Sequence, residues 1–203
     1  MSTTATTLSR SDRIGMYITV FLGAVGAVLT TITAVSRLAE VLPGRDIPVL
    51  VPFVDELAQL PIGPNGTPVD VSVDQAIVTV ADPAPATLFA LIADPIVTAI
   101  WIIAGIALLC LLCVNVARGR AFHRNTVRIV LWGAGLLVAG WVLTSLFRTM
   151  GVNGTLAAVS DHTYDGVLFQ TDLAPIFGVL VLGAIGAAFQ IGHKLQRETE
   201  GLV

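Results

Sequence analysis

Apolar and polar positions segregate along this chain on two scales. On the coarse scale, four stretches carry no charged residue and no histidine: Ile14 to Ser36, Pro95 to Ala117, Ile129 to Phe147 and Ala174 to Gly192, of 23, 23, 19 and 19 residues. At about 1.5 Å rise per residue, each is long enough as an α-helix to cross a hydrocarbon core roughly 30 Å thick. On the fine scale, Val69, Val71 and Val73 alternate with Asp70, Ser72 and Asp74, the period of a half-buried strand. Ala76 to Val80 is a second β-branched run, and Ile47 to Phe53 is apolar and held extended by Pro48 and Pro52. The pattern predicts an all-α transmembrane four-helix bundle with a small extracytoplasmic β-containing insertion between the first two helices.

The segments follow in order. Residues 1–13 form a Ser/Thr-rich cytoplasmic lead, 14–37 the first transmembrane helix, and 38–94 the extracytoplasmic small domain. Residues 95–117 form the second helix, 118–128 a basic cytoplasmic loop, and 129–147 the third helix. Residues 148–173 form an irregular extracytoplasmic loop, 174–192 the fourth helix and 193–203 a cytoplasmic tail. Within the small domain, Pro64-Asn65-Gly66 marks a turn. Asp82-Pro83 and Asp94-Pro95 each read as an N-cap with proline at the first helical position. They predict a short helix over about 83–93 and a fresh start for the second span, unless the two run on collinearly. A cleaved signal peptide would be the rival account of the first span, but its uncharged run is much longer than the 7 to 15 residues of an h-region. A retained helix is expected.

Composition agrees with a membrane protein: 55 % of residues are hydrophobic, 12 % are charged and mean hydropathy is +0.84. Net charge becomes informative once it is divided by segment. With the N-terminus in the cytoplasm, the inner segments hold eight basic and three acidic residues and the outer segments three basic and eleven acidic. The positive-inside rule therefore predicts both termini in the cytoplasm. No span holds an ionisable group of the kind that ion pumps and proton relays need in mid-membrane.

Several constellations have bland explanations. Gly23 with Ala27, Gly135 with Ala139 and Gly183 with Ala187 have helix-contact spacing. They predict packing within one bundle, with homo-oligomerisation through the same faces as the alternative. Cys110 and Cys113 have redox spacing but sit deep in an apolar helix, where cysteine serves as a small filler. Asp70-Val-Ser-Val-Asp74 lacks the glycine turn and distal glutamate of a calcium loop and reads as a solvated strand face. Asn65-Gly-Thr67 and Asn153-Gly-Thr155 are formal glycosylation acceptors that read better as turns. His123 lies among arginines in the inner loop and reads as a solvated loop histidine rather than a pH or partner switch; the basic loop is expected to set topology and meet anionic head groups. Trp132 suits an interfacial position, whereas Trp101 and Trp141 lie deeper and suit packing. The motifs of metalloproteases, phosphate loops and serine nucleophiles are missing, so the chain is expected to be no enzyme and to need no cofactor or metal.

The inner loop and the tail carry a resemblance. Gly119-Arg120-Ala121-Phe122 followed by Asn125 resembles the loop after the second span in a bacterial family of four-span membrane proteins, domain of unknown function 2975. The chain has Ala121 where that family's loop has a proline. The ending from Phe189 to Val203, with Gly192, Leu195, Glu198, Glu200 and a closing Leu-Val, is similar to that family's C-terminus. The resemblance implies a bacterial cytoplasmic (inner) membrane protein without established catalytic residues. Members of the family are often encoded beside a small helix-turn-helix regulator. That implies a membrane partner of a cytoplasmic DNA-binding protein, with no direct contact to nucleic acid. The matched residues Phe122, Asn125, Leu195, Glu198 and Glu200 are the candidates for docking it. The expected function is thus a non-enzymatic sensor or regulatory partner; the alternative is a small permease, channel or immunity-type membrane protein.

Overall fold

The computed structural model describes residues 10–117, 124–164 and 174–200. In chain order these form α1 (Arg10–Val41), β1 (Ile47–Leu60), a single 3₁₀ turn (Pro64–Gly66), β2 (Val69–Val80), α2 (Pro85–Ala117), α3 (Arg124–Val159) and α4 (Ala174–Glu200). Four helices are long and apolar enough to cross a membrane, over Tyr17–Val41, Pro85–Asn115, Arg128–Val159 and Pro175–Gly192. The chain divides into two compact units. A helical unit comprises Met1–Val35, Ile96–Leu143 and Asp172–Val203, and a β-ribbon unit comprises Ser36–Pro95 and Thr144–Thr171.

The helical unit packs backbone against side chain at glycines. Gly23 and Gly26 of α1 admit Ile106 of α2, and a Cβ at Gly23 would also stand 3.0 Å from Cys110 Sγ. Gly140 of α3 lies under Trp101 of α2; Gly178 and Gly186 of α4 face Leu137 and Val130 of α3. Small residues thus bring consecutive helices close, as association in lipid requires. The spacing-based choice of glycines is corrected in part. Gly23 packs as expected, but a Cβ at Gly135 or Gly183 would meet nothing within 4 Å. Cys110 serves as the expected filler. The exterior of this unit is apolar: Ile18, Phe21, Leu22, Val138, Leu180 and Val181 are all exposed. Such a surface is stable only against lipid, which makes this a multi-pass membrane protein.

The threonines of α1 satisfy themselves. Thr19, Thr30, Thr31 and Thr33 each donate a hydroxyl hydrogen bond to the carbonyl four residues earlier, at 2.8 to 3.0 Å. Polar side chains are thereby spent on the helix's own backbone.

The β-ribbon unit has a conventional core. β1 and β2 pair antiparallel, Ile47 opposite Val80 through Pro52 opposite Gln75, then Glu56 opposite Val73 through Leu60 opposite Val69, with a bulge between Pro52 and Glu56. The two β-branched runs read separately in the sequence merge into the single strand β2. Ile47, Val49 and Val51 project from one face of β1 and pack with Val41, Leu91, Val152 and Leu156. Nine of the ten buried hydrophobic residues of the described chain lie in this unit. Burial from water therefore stabilises the ribbon unit, and packing within lipid the helical one. The turn at Pro64-Asn65-Gly66 forms as expected, with Asn65 and Gly66 at φ of 59° and 77°.

Three local expectations are corrected. The helix expected from about residue 83 begins at Pro85, and it does not restart at Asp94: it runs through Asp94 and Pro95 into the second span, the alternative of the two expectations. Pro85 takes the first helical position instead, and Pro95 removes only the N–H that would bind Leu91, a smaller loss than a break within an apolar helix. Arg148 to Val159 is the last part of α3 and not loop. Its glycines admit neighbours there, Leu91 against Gly151 and Thr87 against Gly154. Asn153-Gly-Thr155 accordingly forms no turn. Asn153 Nδ2 donates to Thr149 O at 2.9 Å, and Thr155 is 0 % exposed.

Candidate functional site

Charge is scarce in this chain, so a place where several charged groups converge on a concavity is the first candidate for chemistry. One occurs in the β-ribbon unit. Arg37 and Glu40 come from the end of α1, Asp94 from α2 and Arg148 from α3, and together they line a groove of about 550 Å³. In the sequence, Arg37, Asp94 and Arg148 are the first charged residues beyond the same end of the first three uncharged stretches. Each must leave hydrocarbon at the first opportunity, so one charged layer forms from three separate segments.

The charges of the groove are unequally satisfied. Arg37 Nη1 donates to Glu40 Oε2 at 2.8 Å, one turn along the same helix, and this is the only ion pair among the described residues. Asp94 Oδ1 is buried and has no hydrogen-bond partner among the described residues. The nearby positive charges that act on it are Arg148 and Arg37. The remaining wall is apolar: Leu50 and Ile77 are opposite one another across the ribbon, and Leu91 and Phe147 come from α2 and α3. Phe147 is fixed by an edge-to-face contact with Phe89, ring centroids 5.8 Å apart and planes at 78°. The groove thus offers the carboxylate of Asp94, whose Oδ1 is itself enclosed, and a guanidinium outside any ion pair among the described residues, beside a greasy wall.

A second concavity lies in the helical unit, about 610 Å³ between α2, α3 and α4, lined by side chains such as Trp101, Leu109 and Leu137 and by Gly105 and Gly133. Its lining is apolar throughout, which suits a lipid chain and no charged ligand.

The residues singled out for docking are placed as follows. Phe122 lies outside the described residues, as does His123. Asn125 is in the first turn of α3, and Leu195, Glu198 and Glu200 are in the last two turns of α4; only their backbones belong to the described structure. The tail expected from residue 193 onward is therefore helical as far as Glu200. The strand face bearing Asp70, Ser72 and Asp74 is exposed, with Asp70 Oδ1 accepting from Gln59 Nε2 at 3.0 Å across the ribbon, and no metal-binding group occurs among the described residues. Trp132 is exposed, and Trp101 packs on Gly140 as expected of a packing residue. Reasoning from sequence passed over Arg37 and Arg148 and gave Asp94 a capping role. The signal that would have found them was their shared position at the ends of the spans.

No protein-family model, curated protein or solved structure matches the chain.

Proposed function

We propose that this chain is a non-enzymatic sensor or regulatory partner in the cytoplasmic membrane of a bacterium, with both termini inside and the β-ribbon unit outside. The observation that carries this reading is the placement of charge. The uncharged stretches of 19 to 23 residues leave no charge for mid-membrane, and the groove where Arg37, Glu40, Asp94 and Arg148 converge belongs to the β-ribbon unit. Ligand recognition then falls to the groove. Output falls to the basic loop and tail, where the likeness to domain of unknown function 2975 suggests a cytoplasmic helix-turn-helix protein as partner. Coupled transport is disfavoured because it needs mid-membrane ionisable groups, and a conducting polar stripe because the α1 threonines are bonded to their own helix.

The test is co-purification from native membranes of the tagged protein, of Phe122→Ala and of a form lacking residues 195–203. The parent should retain one soluble regulator. Both variants should insert normally and lose it. Retention by both would remove the inner face from the mechanism.

A further inference from the structure

The groove of Arg37, Glu40, Asp94 and Arg148 has a formal charge of zero, two cations against two anions. One pair, Arg37 with Glu40, is closed on itself at 2.8 Å. That leaves one group of each sign: the Asp94 carboxylate, whose Oδ1 lacks a donor among the described residues, and the Arg148 guanidinium. A simple anion would be drawn to Arg148 but repelled by two carboxylates. A simple cation would meet the reverse. A ligand with both signs in one molecule meets both groups with its opposite charge. A cationic group carrying N–H suits the Asp94 carboxylate better than a quaternary ammonium, which can neutralise charge but cannot hydrogen-bond to it.

Position and wall narrow the choice. Arg37, Asp94 and Arg148 each directly adjoin an uncharged stretch, so they stand at the depth where lipid head groups begin. The rest of the lining includes Leu50, Ile77, Leu91 and Phe147, and Leu50 and Ile77 are 53 % and 71 % exposed, an apolar surface poor for a small polar solute alone.

We infer that this groove binds an aminophospholipid head group, its phosphate on Arg148 and its primary ammonium on Asp94, with the glycerol and upper chains against the apolar wall. The inference rests on the reading of the groove as the sensing element and gives that element its ligand class.

The full chain, purified in mild detergent, is offered equal amounts of phosphatidylethanolamine, phosphatidylcholine and phosphatidylglycerol with matched acyl chains, and the retained lipids are counted by native mass spectrometry. Phosphatidylethanolamine should be retained about tenfold over the other two, the factor supplied by one charge-assisted hydrogen bond at the low end of its range. Asp94→Asn should level phosphatidylethanolamine with phosphatidylcholine, and Arg148→Gln should lower retention of all three. Equal retention by the unmodified chain would overturn the proposal, and that result needs no variant to fold. Undiminished ethanolamine preference in folded Asp94→Asn would overturn it as well.

Soluble phosphoethanolamine separates the two sources of this chemistry. If it displaces the lipid and raises the unfolding temperature where phosphocholine does not, the head group alone is recognised. If it does neither while the lipid is retained, the membrane-anchored molecule is the ligand. Loss of head-group selectivity with the regulator still co-purifying would remove this ligand and leave the regulatory reading intact. Selectivity without any regulator would do the opposite.

Discussion

Replacing Gly140 by alanine adds one methyl group to α3 at the point where Trp101 of α2 crosses it. An ideal Cβ there would lie 2.5 Å from Trp101 Cγ, 2.7 Å from Cδ2 and 2.8 Å from Cβ, against the 3.4 to 4 Å of ordinary contact. Rotating the indole clears the first two atoms but not the third, because Trp101 Cβ is fixed to its own helix. The helices must therefore part by a few tenths of an ångström to about 1 Å, a gap that forfeits a quarter to a half of the dispersion well along the seam. Over-packing of this kind costs about 1 to 3 kcal/mol. Alanine returns roughly 0.5 to 1 kcal/mol through its better helix propensity. The expected balance is a loss of about 1 to 2 kcal/mol. Gly135→Ala and Gly183→Ala are the controls: each added Cβ meets nothing within 4 Å, so only the propensity gain remains. Unfolding in mixed micelles at rising dodecyl sulfate fraction, followed by helicity, measures all three. Gly140→Ala should unfold first and the two controls no earlier than the parent. If Gly140→Ala matched the controls, the α2–α3 seam described here would be wrong; if the controls were the unstable pair, the glycines with contact spacing would form the true interface.

The remaining predictions concern topology, transport and the buried hydroxyls. In a background with Cys110 and Cys113 replaced by alanine, cysteines placed at 65 and 161 should react with an impermeant reagent on intact cells, and those at 120 and 197 only after permeabilisation. Labelling of position 120 from outside would reverse the orientation. In sealed liposomes, proton and sodium gradients should drive no uptake, and reproducible gradient-driven flux would sink the sensor reading in favour of a permease. Thr155 is fully buried and its hydroxyl has no partner among the described residues, so Thr155→Val should be neutral to about 1 kcal/mol stabilising by thermal unfolding; a loss of more than that would reveal a partner for the hydroxyl.

The membrane spans were legible because hydrocarbon imposes one rule on every residue in them, and exclusion of charge over 19 to 23 positions has no other simple cause. The ribbon was legible for a related reason: the Val69-Val71-Val73 alternation has period two, and Asn65-Gly66 can supply the left-handed turn. Helix ends were less legible. Asp94-Pro95 carries the local signature of a start, yet the helix continues through it, because surroundings outside the local window decide whether one lost hydrogen bond is tolerated. Gly151 and Gly154 read as loop residues for a comparable reason. Glycine marks both flexibility and close approach, and only the presence of Leu91 and Thr87 opposite them tells which. The same ambiguity led contact spacing to Gly135 and Gly183, while Gly140, Gly178 and Gly186 take the neighbours.

The charged groove could not have come from any local motif, since its members are far apart in sequence and each is unremarkable alone. What links them is that α1, α2 and α3 all pass from one compact unit into the other, and each carries a charged residue within a few positions of that passage. This arrangement also bears on how a bound head group would be felt elsewhere. A ligand shifts a conformational equilibrium only by its difference in affinity between the states. One that bridges Asp94 and Arg148 ties α2 to α3, and those same helices continue to the ends that flank the basic loop. Any state in which α2 and α3 slide or rotate against each other changes the separation of that one carboxylate and that one guanidinium, and so changes the affinity. Sensing then requires no charge within the membrane. It requires that α2 and α3 carry opposite charges, Asp94 and Arg148, at the same end of their uncharged stretches, and the sequence places them there.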